Sequence, residues 1–193
     1  MSKSPSNPKG TRDFLPSTLS KRNFILDIIR KNFKLFGFLE IQTPALEKNS
    51  TLLGKYGNEG DRLVFKILNS GDKIKKANIK ALSDNKLSDF SDSISEKGLR
   101  YDLTVPLARF VSQHQNELVF PFKRFQIQNV WRADRPQHGR FQEFTQCDAD
   151  VIGTNSIIQE IELIKLYDSV FSQLGFNDLI FKINHRSILI GLA

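Results

Sequence analysis

The segment from Phe120 to Gly153 contains arginine, glutamine and aspartate side chains at alternating positions, a spacing that could gather them on one surface. Residues 122–132 and 141–152 each alternate with a period of two, which is typical of a β-strand with two unlike faces. The connector between them contains Pro136 and Gly139, and both residue types end strands. The segment therefore predicts a hairpin of two antiparallel strands.

One face of this predicted hairpin carries complementary polar groups. Arg132 ends the first strand, Gln146 and Asp150 lie on the second, and Arg135 and Arg140 stand in the connecting loop. Guanidinium groups bind carboxylate or phosphate oxygens bidentately, whereas amide and carboxylate oxygens accept hydrogen bonds from ammonium and ring N–H groups. The pattern is compatible with the solvated face of an antiparallel sheet and with a site for a small zwitterion beside a polyphosphate.

A site of this kind needs a scaffold, which the remaining sequence supplies. Isoleucine and phenylalanine recur with a helical period over residues 17–36, Gly37 ends that helix, and Pro44 ends the strand after it. Further helices are expected from Pro106 and over residues 154–175. Strands are predicted at about 38–43, 63–68, 99–105, 122–132, 141–152 and 179–183. These elements predict an α+β domain in which helices flank an antiparallel sheet.

Composition narrows the class of protein. With 39% hydrophobic and 25% charged residues, the chain is predicted to be globular. Its net charge of +7 favours a polyanionic partner, either a nucleotide or a nucleic acid. Cys147 is the single cysteine and the three histidines lack metal-ligand spacing, so the sequence predicts neither a disulfide nor a zinc site. Residues 1–10 lack the apolar run of a signal peptide and no stretch could cross a bilayer, which indicates a cytoplasmic protein without membrane contact.

Two stretches are expected to be irregular. Residues 49–64 contain Gly54, Gly57 and Gly60 and are predicted to form a loop, since no strand leads into these glycines as a phosphate-binding loop requires. Residues 69–97 form a polar insertion rich in lysine, serine and aspartate, for which we expect a mobile surface segment with a helical turn or two. Its lysines could contact RNA, although a solvated face is the simpler interpretation.

Several strings resemble one enzyme family. The segment from Arg132 to Asp150 resembles motif 2 of class II aminoacyl-tRNA synthetases, in the form found in histidyl-tRNA synthetases. The strings Lys9–Pro16 and Arg100–Pro106 are similar to two further signatures of that family. The pattern of helix, glycine, strand and proline at about 19–44 resembles class II motif 1, which builds the dimer interface in that family.

The resemblance implies a function and a set of residues. Histidine–tRNA ligases activate L-histidine with ATP and Mg²⁺ to histidyl-adenylate, and then transfer the histidyl group to tRNA(His). The matched positions make Arg132 the catalytic residue, which contacts the α-phosphate and the histidine carboxylate. They place Asp134 and Arg140 with Arg132 at ATP. The histidine contacts fall at Asp102, Thr104, Arg132, Gln146 and Asp150, whereas Asp148 receives no role.

The resemblance covers nearly the whole chain but only the first part of the family's architecture. Residues 1–193 correspond to the N-terminal portion of a class II catalytic domain, with motif 1 at about 19–44, the polar insertion at about 69–97 and motif 2 at about 122–152. Motif 3, a later arginine-bearing motif and the anticodon-binding domain have no counterpart here. We therefore expect a fragment, incomplete at the C-terminus, that is inactive alone.

Two other function classes stay open at this point. One is a non-catalytic, synthetase-like regulatory subunit of histidine biosynthesis; it is disfavoured because Arg132, Arg140, Gln146 and Asp150 are all present, whereas such proteins usually lose ATP-site residues. The other is a generic basic nucleic-acid-binding domain, in which the lysines of residues 73–97 would bind any RNA in a salt-dependent way.

Overall fold

A computed structural model describes residues 4–55 and 57–192 of the protein. In chain order the helices are α1 (Pro16–Leu35), α2 (Asn49–Leu52), α3 (Gly57–Asp61), α4 (Ile79–Ser83), α5 (Leu87–Ile94), α6 (Thr104–His114), α7 (Ile158–Gln173) and α8 (Arg186–Leu192). The strands are β1 (Leu39–Glu40), β2 (Leu46–Lys48), β3 (Lys66–Ile67), β4 (Lys97–Leu99), β5 (Phe122–Trp131) and β6 (Glu143–Ile152). This mixture confirms the predicted α+β class.

The strands form two sheets of three strands each. In the first, β5 lies between β1 and β6, pairing parallel with β1 and antiparallel with β6. In the second, β4 lies between β2 and β3, and both pairings are antiparallel. The predicted hairpin is confirmed, because β5 and β6 pair without interruption from Phe122 opposite Ile152 to Trp131 opposite Glu143.

The apolar face of the hairpin forms the core with α1 and α7. Phe125 is fully buried, and its ring centroid lies 5.1 Å from that of Phe33 on α1. Leu166 and Val170 on α7 join the same cluster, with Phe38 at the end of the turn after α1. Burial of such side chains contributes about 1.5–3 kcal/mol each. The apolar residues that recur with a helical period on α1 and with a strand period on β5 therefore pack into one hydrophobic core.

The strand predicted at 99–105 is wrong. β4 ends at Leu99, and α6 begins at Thr104. The Asp102 side chain causes the change, because its Oδ1 accepts hydrogen bonds from the backbone N–H groups of Thr104 (3.2 Å) and Val105 (3.3 Å). An aspartate that accepts from these first N–H groups begins a helix, and Pro106 is tolerated in a first turn since its missing N–H would have no helical partner.

Three other expectations need correction. Residues 179–183, predicted as a strand, belong to no strand of the structure, and Ile180 is 85% exposed. Residues 49–64, predicted as a loop, contain the short helices α2 and α3. The polar insertion contains more helix than expected, since a 3₁₀ helix (Gly71–Lys76) precedes α4 and α5.

Within residues 4–55 and 57–192, no helix is long and apolar enough to cross a membrane.

The thiol of Cys147 lies on the apolar face of β6, packed against the core cluster. Burial raises the pKa of Cys147 from 9.0 to about 11, and the neighbouring Asp148 adds to the increase. Two pKa units reduce the thiolate population about 100-fold at neutral pH. We therefore expect iodoacetamide to label native Cys147 on the order of 100 times more slowly than the unfolded chain, as measured by intact mass.

A matched control places the thiol elsewhere on the same protein. The double variant Cys147→Ser, Ser172→Cys carries its thiol on an exposed position of α7 and should be labelled at the rate of a free cysteine whether folded or not. Rapid labelling of native wild-type protein would contradict the described packing.

Candidate active site

The polar face of the hairpin lies opposite the core. Residues that pair directly across antiparallel strands project from the same face of the sheet. Arg124 lies opposite Asp150, and Gln126 lies opposite Asp148. Gln128 faces Gln146 in the same way, so this face carries a continuous double row of polar side chains.

The base of this face is buried and connected. Arg124 is fully buried; its Nη2 lies 2.5 Å from Asp150 Oδ2, and its Nη1 donates to Gln126 Oε1 (3.3 Å). Gln126 Nε2 in turn donates to Thr43 Oγ1 (2.8 Å). Four buried atoms of this face have no hydrogen-bond partner among the described residues: Arg124 Nη2 and Asp150 Oδ2, which form the ion pair, and Arg124 Nε and Gln146 Oε1, which have none. A buried donor or acceptor without a partner costs about 1–3 kcal/mol, so a polar ligand that pairs with it would be favoured.

Arg132 is held at the loop end of this face. Its guanidinium carbon lies 4.5 Å from the ring centroid of Tyr101 and 5.0 Å from that of Phe144. Its Nε donates to the carbonyl oxygen of Tyr101 (3.2 Å), and the side chain is half-buried. Cation–π contacts and a backbone bond restrict a long side chain that would otherwise lose much rotamer freedom on binding. The guanidinium is thus fixed before any ligand arrives.

Residues 132–142, here called the site loop, fold over the end of β5. Arg140 and Gln137 exchange backbone hydrogen bonds (2.9 and 3.3 Å) across a tight turn that contains Gly139 at φ 76°. Arg140 Nη2 lies 2.8 Å from Asp134 Oδ2, although the Arg140 side chain is 59% exposed. The loop, Arg132 and Phe144 enclose a cavity of about 190 Å³. This cavity has cationic walls and adjoins the polar face.

Arg100 connects the elements around the site. It is buried, and its Nε donates to the Asn129 carbonyl (2.7 Å) while Nη1 donates to the Thr43 carbonyl (2.7 Å) and to Gln128 Oε1 (3.2 Å). The backbone N–H of Trp131 also donates to the Arg100 carbonyl (3.1 Å). Burial lowers the pKa of Arg100. This side chain holds the segment that leads to Asp102 against the strand that leads to Arg132.

The electrostatics of the polar face depend on Arg124 and three carboxylates. Burial lowers the pKa of Arg124, whereas the charges of Asp150, Asp148 and Asp102 oppose that decrease. Burial raises the pKa of Asp148, Arg124 opposes the increase, and Asp150 and Asp102 add to it. Asp102 therefore lies within electrostatic range of the face, although it belongs to the turn before α6. Displaced pKa values of this kind are typical of binding and catalytic sites.

The structure brings together six of the seven residues expected from the sequence. Arg132, Asp134 and Arg140 surround the loop cavity, and Gln146 and Asp150 lie on the polar face with Asp102 beside them. Thr104 differs, since it is the exposed first residue of α6 rather than part of a strand that faces a cleft.

Sequence reasoning missed Arg124, Gln126 and Asp148. The signal was available, because Arg124 and Gln126 have the same parity as Arg132 on a strand whose alternation starts at Phe122. Nothing in the alternation, however, reveals that Arg124 is buried beneath Asp150. Among the described residues, no group of three or more histidine, cysteine, aspartate or glutamate side chains could hold a metal ion.

Asp148 should lower the stability of the protein at neutral pH. Its folded pKa is raised above the unfolded value of 3.8, so its favourable contribution is fully present below pH 3.8 and is lost as pH rises through the folded pKa. We expect Asp148→Asn to increase the free energy of unfolding at pH 7, with the gain vanishing near pH 3.8. Urea unfolding across this range measures the effect, and the exposed Asp168→Asn on α7 is the control. Equal stability of Asp148→Asn and wild type at pH 7 would refute the prediction.

This chain is similar to known proteins. Residues 75–193 match the family model described as histidyl-tRNA synthetase. A histidine–tRNA ligase of Christiangramia forsetii is 61% identical over the whole chain, which covers 42% of that protein.

Solved structures also resemble this chain. The histidyl-tRNA synthetase of Nostoc sp. PCC 7120 superposes with a TM-score of 0.76 at 28% identity, over 97% of this chain and 38% of that one. A Bacillus halodurans protein described as an ATP phosphoribosyltransferase regulatory subunit/histidyl-tRNA synthetase gives a TM-score of 0.71 at 25% identity, over 92% and 40%. The chain thus spans about two fifths of the length of these proteins, and it belongs to the histidyl-tRNA synthetase family.

Proposed function

We propose that this chain supplies the part of a histidine–tRNA ligase that binds ATP and histidine for adenylate formation. The observation that carries the proposal is Arg132, clamped between Tyr101 and Phe144 where the loop cavity meets the polar face. An α-phosphate and an amino-acid carboxylate must meet at one point for this reaction, and a fixed guanidinium at that point binds both.

The first step requires positioning more than proton transfer. The histidine carboxylate is ionised at neutral pH, so one of its oxygens attacks the α-phosphorus directly, an O–P bond forms, and the bond to pyrophosphate breaks. Two anions must approach each other, and their repulsion is the main obstacle. Arg132 would neutralise charge at the phosphorus as it develops, and its rigidity avoids the cost of reorganisation during the step.

The loop cavity suits the polyphosphate. Arg140 is ion-paired with Asp134 yet mostly exposed, so its guanidinium could exchange this partner for a phosphate oxygen by side-chain rotation alone. Mg²⁺ would accompany ATP and offset the remaining phosphate charge. Asp134 is the only carboxylate among the described residues that line the cavity, so the protein offers few ligands and the phosphates would hold most of the ion.

The polar face suits histidine. The substrate ammonium and imidazole present N–H donors, and Gln146 Oε1 is a buried acceptor without a described partner. Asp150 supplies negative charge on the same face, and Asp102 supplies it within electrostatic range of Arg124. A site that hydrogen-bonds a particular substrate discriminates strongly against analogues that leave its buried polar atoms unpaired. This arrangement supports selection of histidine over apolar amino acids of similar size.

Assembly and the macromolecular partner are further parts of the proposal. Several large apolar residues of α1, of its N-cap and of β1 are exposed in the single chain, namely Leu15, Leu19, Phe24, Ile25, Leu35 and Leu39. An exposed apolar surface of this kind is typical of subunit interfaces, which supports a homodimer formed through the motif 1 elements. The net charge of +7 is consistent with tRNA(His) as partner and with a cytoplasmic protein.

A non-catalytic regulatory subunit is the second candidate. It is favoured by the likeness to the Bacillus halodurans protein, whose description names that role beside the synthetase. The retained Arg132, Arg140, Gln146 and Asp150 argue against it. Histidine-dependent ATP–pyrophosphate exchange by the complete gene product would support the ligase, and its absence together with histidine binding would favour the regulatory role.

Arg132→Gln should reduce exchange by the complete gene product about 10²–10³-fold, because loss of one fixed transition-state donor has an effect of this size. We expect kcat to fall, and a change in KM for histidine alone should not account for the reduction. Arg135→Gln, at an exposed position of the same loop, is the control and should change exchange less than about threefold. If the two variants behave alike, Arg132 is not the catalytic arginine.

Arg124→Met removes the cation beneath Asp150 at nearly constant volume. This variant should therefore raise KM for histidine about tenfold and leave KM for ATP unchanged. Arg109→Met is the matched control, since Arg109 also pairs with a buried carboxylate, Glu47, but lies outside the polar face. Parallel changes in both KM values would indicate a general loss of packing instead.

A further inference from the structure

A short N-terminal segment, residues 8–12, lies across the start of β6; we call it the N-terminal strap. Its Gly10 carbonyl accepts hydrogen bonds from the backbone N–H groups of Gln142 (2.8 Å) and Glu143 (3.3 Å). A turn fixes the strap, because the backbone N–H and the hydroxyl of Thr11 both donate to the Pro8 carbonyl (3.2 and 2.8 Å). The strap therefore binds the protein where the site loop joins β6.

The residue that the strap binds also closes the site loop. The Gln142 carbonyl accepts from the backbone N–H of Arg132 (2.9 Å), and its side-chain Nε2 donates to the Asp134 carbonyl (2.9 Å). Gln142 thus connects Gly10 to two residues that line the loop cavity, Arg132 and Asp134. A shift of Gln142 would move the backbone that carries Arg132 and Asp134.

Gly10 is required at this contact for two reasons. Its φ of 78° is a left-handed conformation that side-chain-bearing residues rarely adopt. A Cβ atom at this position would also lie 2.7 Å from Gln142 Cγ and 3.0 Å from the Gln142 backbone nitrogen. Because one of these atoms belongs to the backbone, the clash could be relieved only by displacing the strap or the loop.

Arg12 adds a second contact between strap and loop. Its guanidinium carbon lies 3.3 Å from the ring centroid of Phe141, a residue that lines the loop cavity from its other side. Such stacking holds an aromatic ring in one orientation while the guanidinium stays solvated. The strap thus fixes two consecutive residues, Phe141 and Gln142, at the end of the site loop.

We propose that the N-terminal strap is a positioning element for the nucleotide, which holds the site loop in the conformation that receives the ATP polyphosphate. The proposal rests on the proposed ligase function. It predicts a selective effect, because the strap contacts the loop that carries Asp134 and Arg140. The Arg132 guanidinium is held separately by Tyr101 and Phe144, and the Arg124–Asp150 face is anchored through Gln126 and Thr43.

The test uses Gly10→Ala in the complete gene product. KM for ATP should rise about tenfold in ATP–pyrophosphate exchange, while KM for histidine changes less than about twofold. Hydrogen–deuterium exchange of residues 133–143 should accelerate in the same variant without any ligand. Gly175→Ala is the matched control, since Gly175 has a similar φ of 87° but nothing within 4 Å of a Cβ atom. This control should leave both KM values and loop exchange unchanged.

Arg12 provides a second variant in case Gly10→Ala fails to fold. Arg12→Met should raise KM for ATP, and Arg12→Lys should recover part of the loss because a lysine ammonium can also lie over the Phe141 ring. Equal increases in KM for ATP and in KM for histidine would overturn the proposal. So would hydrogen–deuterium exchange of the site loop in Gly10→Ala at the wild-type rate. If the wild-type product shows no histidine-dependent ATP–pyrophosphate exchange, the ligase function fails by itself. Hydrogen–deuterium exchange of the site loop in Gly10→Ala still decides whether the strap holds the loop.

Discussion

The antiparallel register of β5 and β6 is the constraint on which the rest of the structure depends. Ten uninterrupted pairs fix which residues share a face, so Phe125 enters the core and its neighbour Arg124 enters the site. A slip of one residue would exchange the two faces and place Arg124 among Phe33 and Leu166. The cost of burying an unpaired guanidinium in that core would be several kcal/mol. The hydrophobic core therefore specifies which side chains form the polar face.

The polar face is stable only because other elements satisfy its buried groups. Thr43 lies between β1 and β2 and accepts from Gln126, and Arg100 follows β4 and binds the Thr43 and Asn129 carbonyls. The backbone N–H of Arg100 also donates to the Ala45 carbonyl (2.9 Å). Hydrogen bonds thus join the two sheets at the polar face. This explains why an arginine occupies a buried position directly after the end of β4.

The sequence predicted those features that depend on local period and failed where side chains override it. The ten-residue strands β5 and β6 and the helix α1 have enough alternation or helical repeat to be located within two residues. Residues 99–105 also alternate, yet the Asp102 side chain bonds two backbone N–H groups and begins a helix instead. Residue types, together with the family resemblance, selected Arg132, Gln146 and Asp150 as candidates. They could not identify Arg124, because its role arises from burial and from the opposing Asp150, which only the register reveals.

The charges of the site indicate what kind of ligand completes it. Arg124 and Arg132 face three carboxylates, those of Asp102, Asp148 and Asp150, and two of the five groups have pKa values displaced by burial. At the buried end Arg124 alone stands against these three carboxylates, which leaves an excess of negative charge there. At the loop end Arg132 and Arg140 outnumber Asp134, the one carboxylate among the described residues that line the cavity, and leave an excess of positive charge. A ligand whose ammonium points inward and whose carboxylate points toward the loop matches both ends. Under the proposed function, the same gradient would orient histidine so that its carboxylate meets the nucleotide.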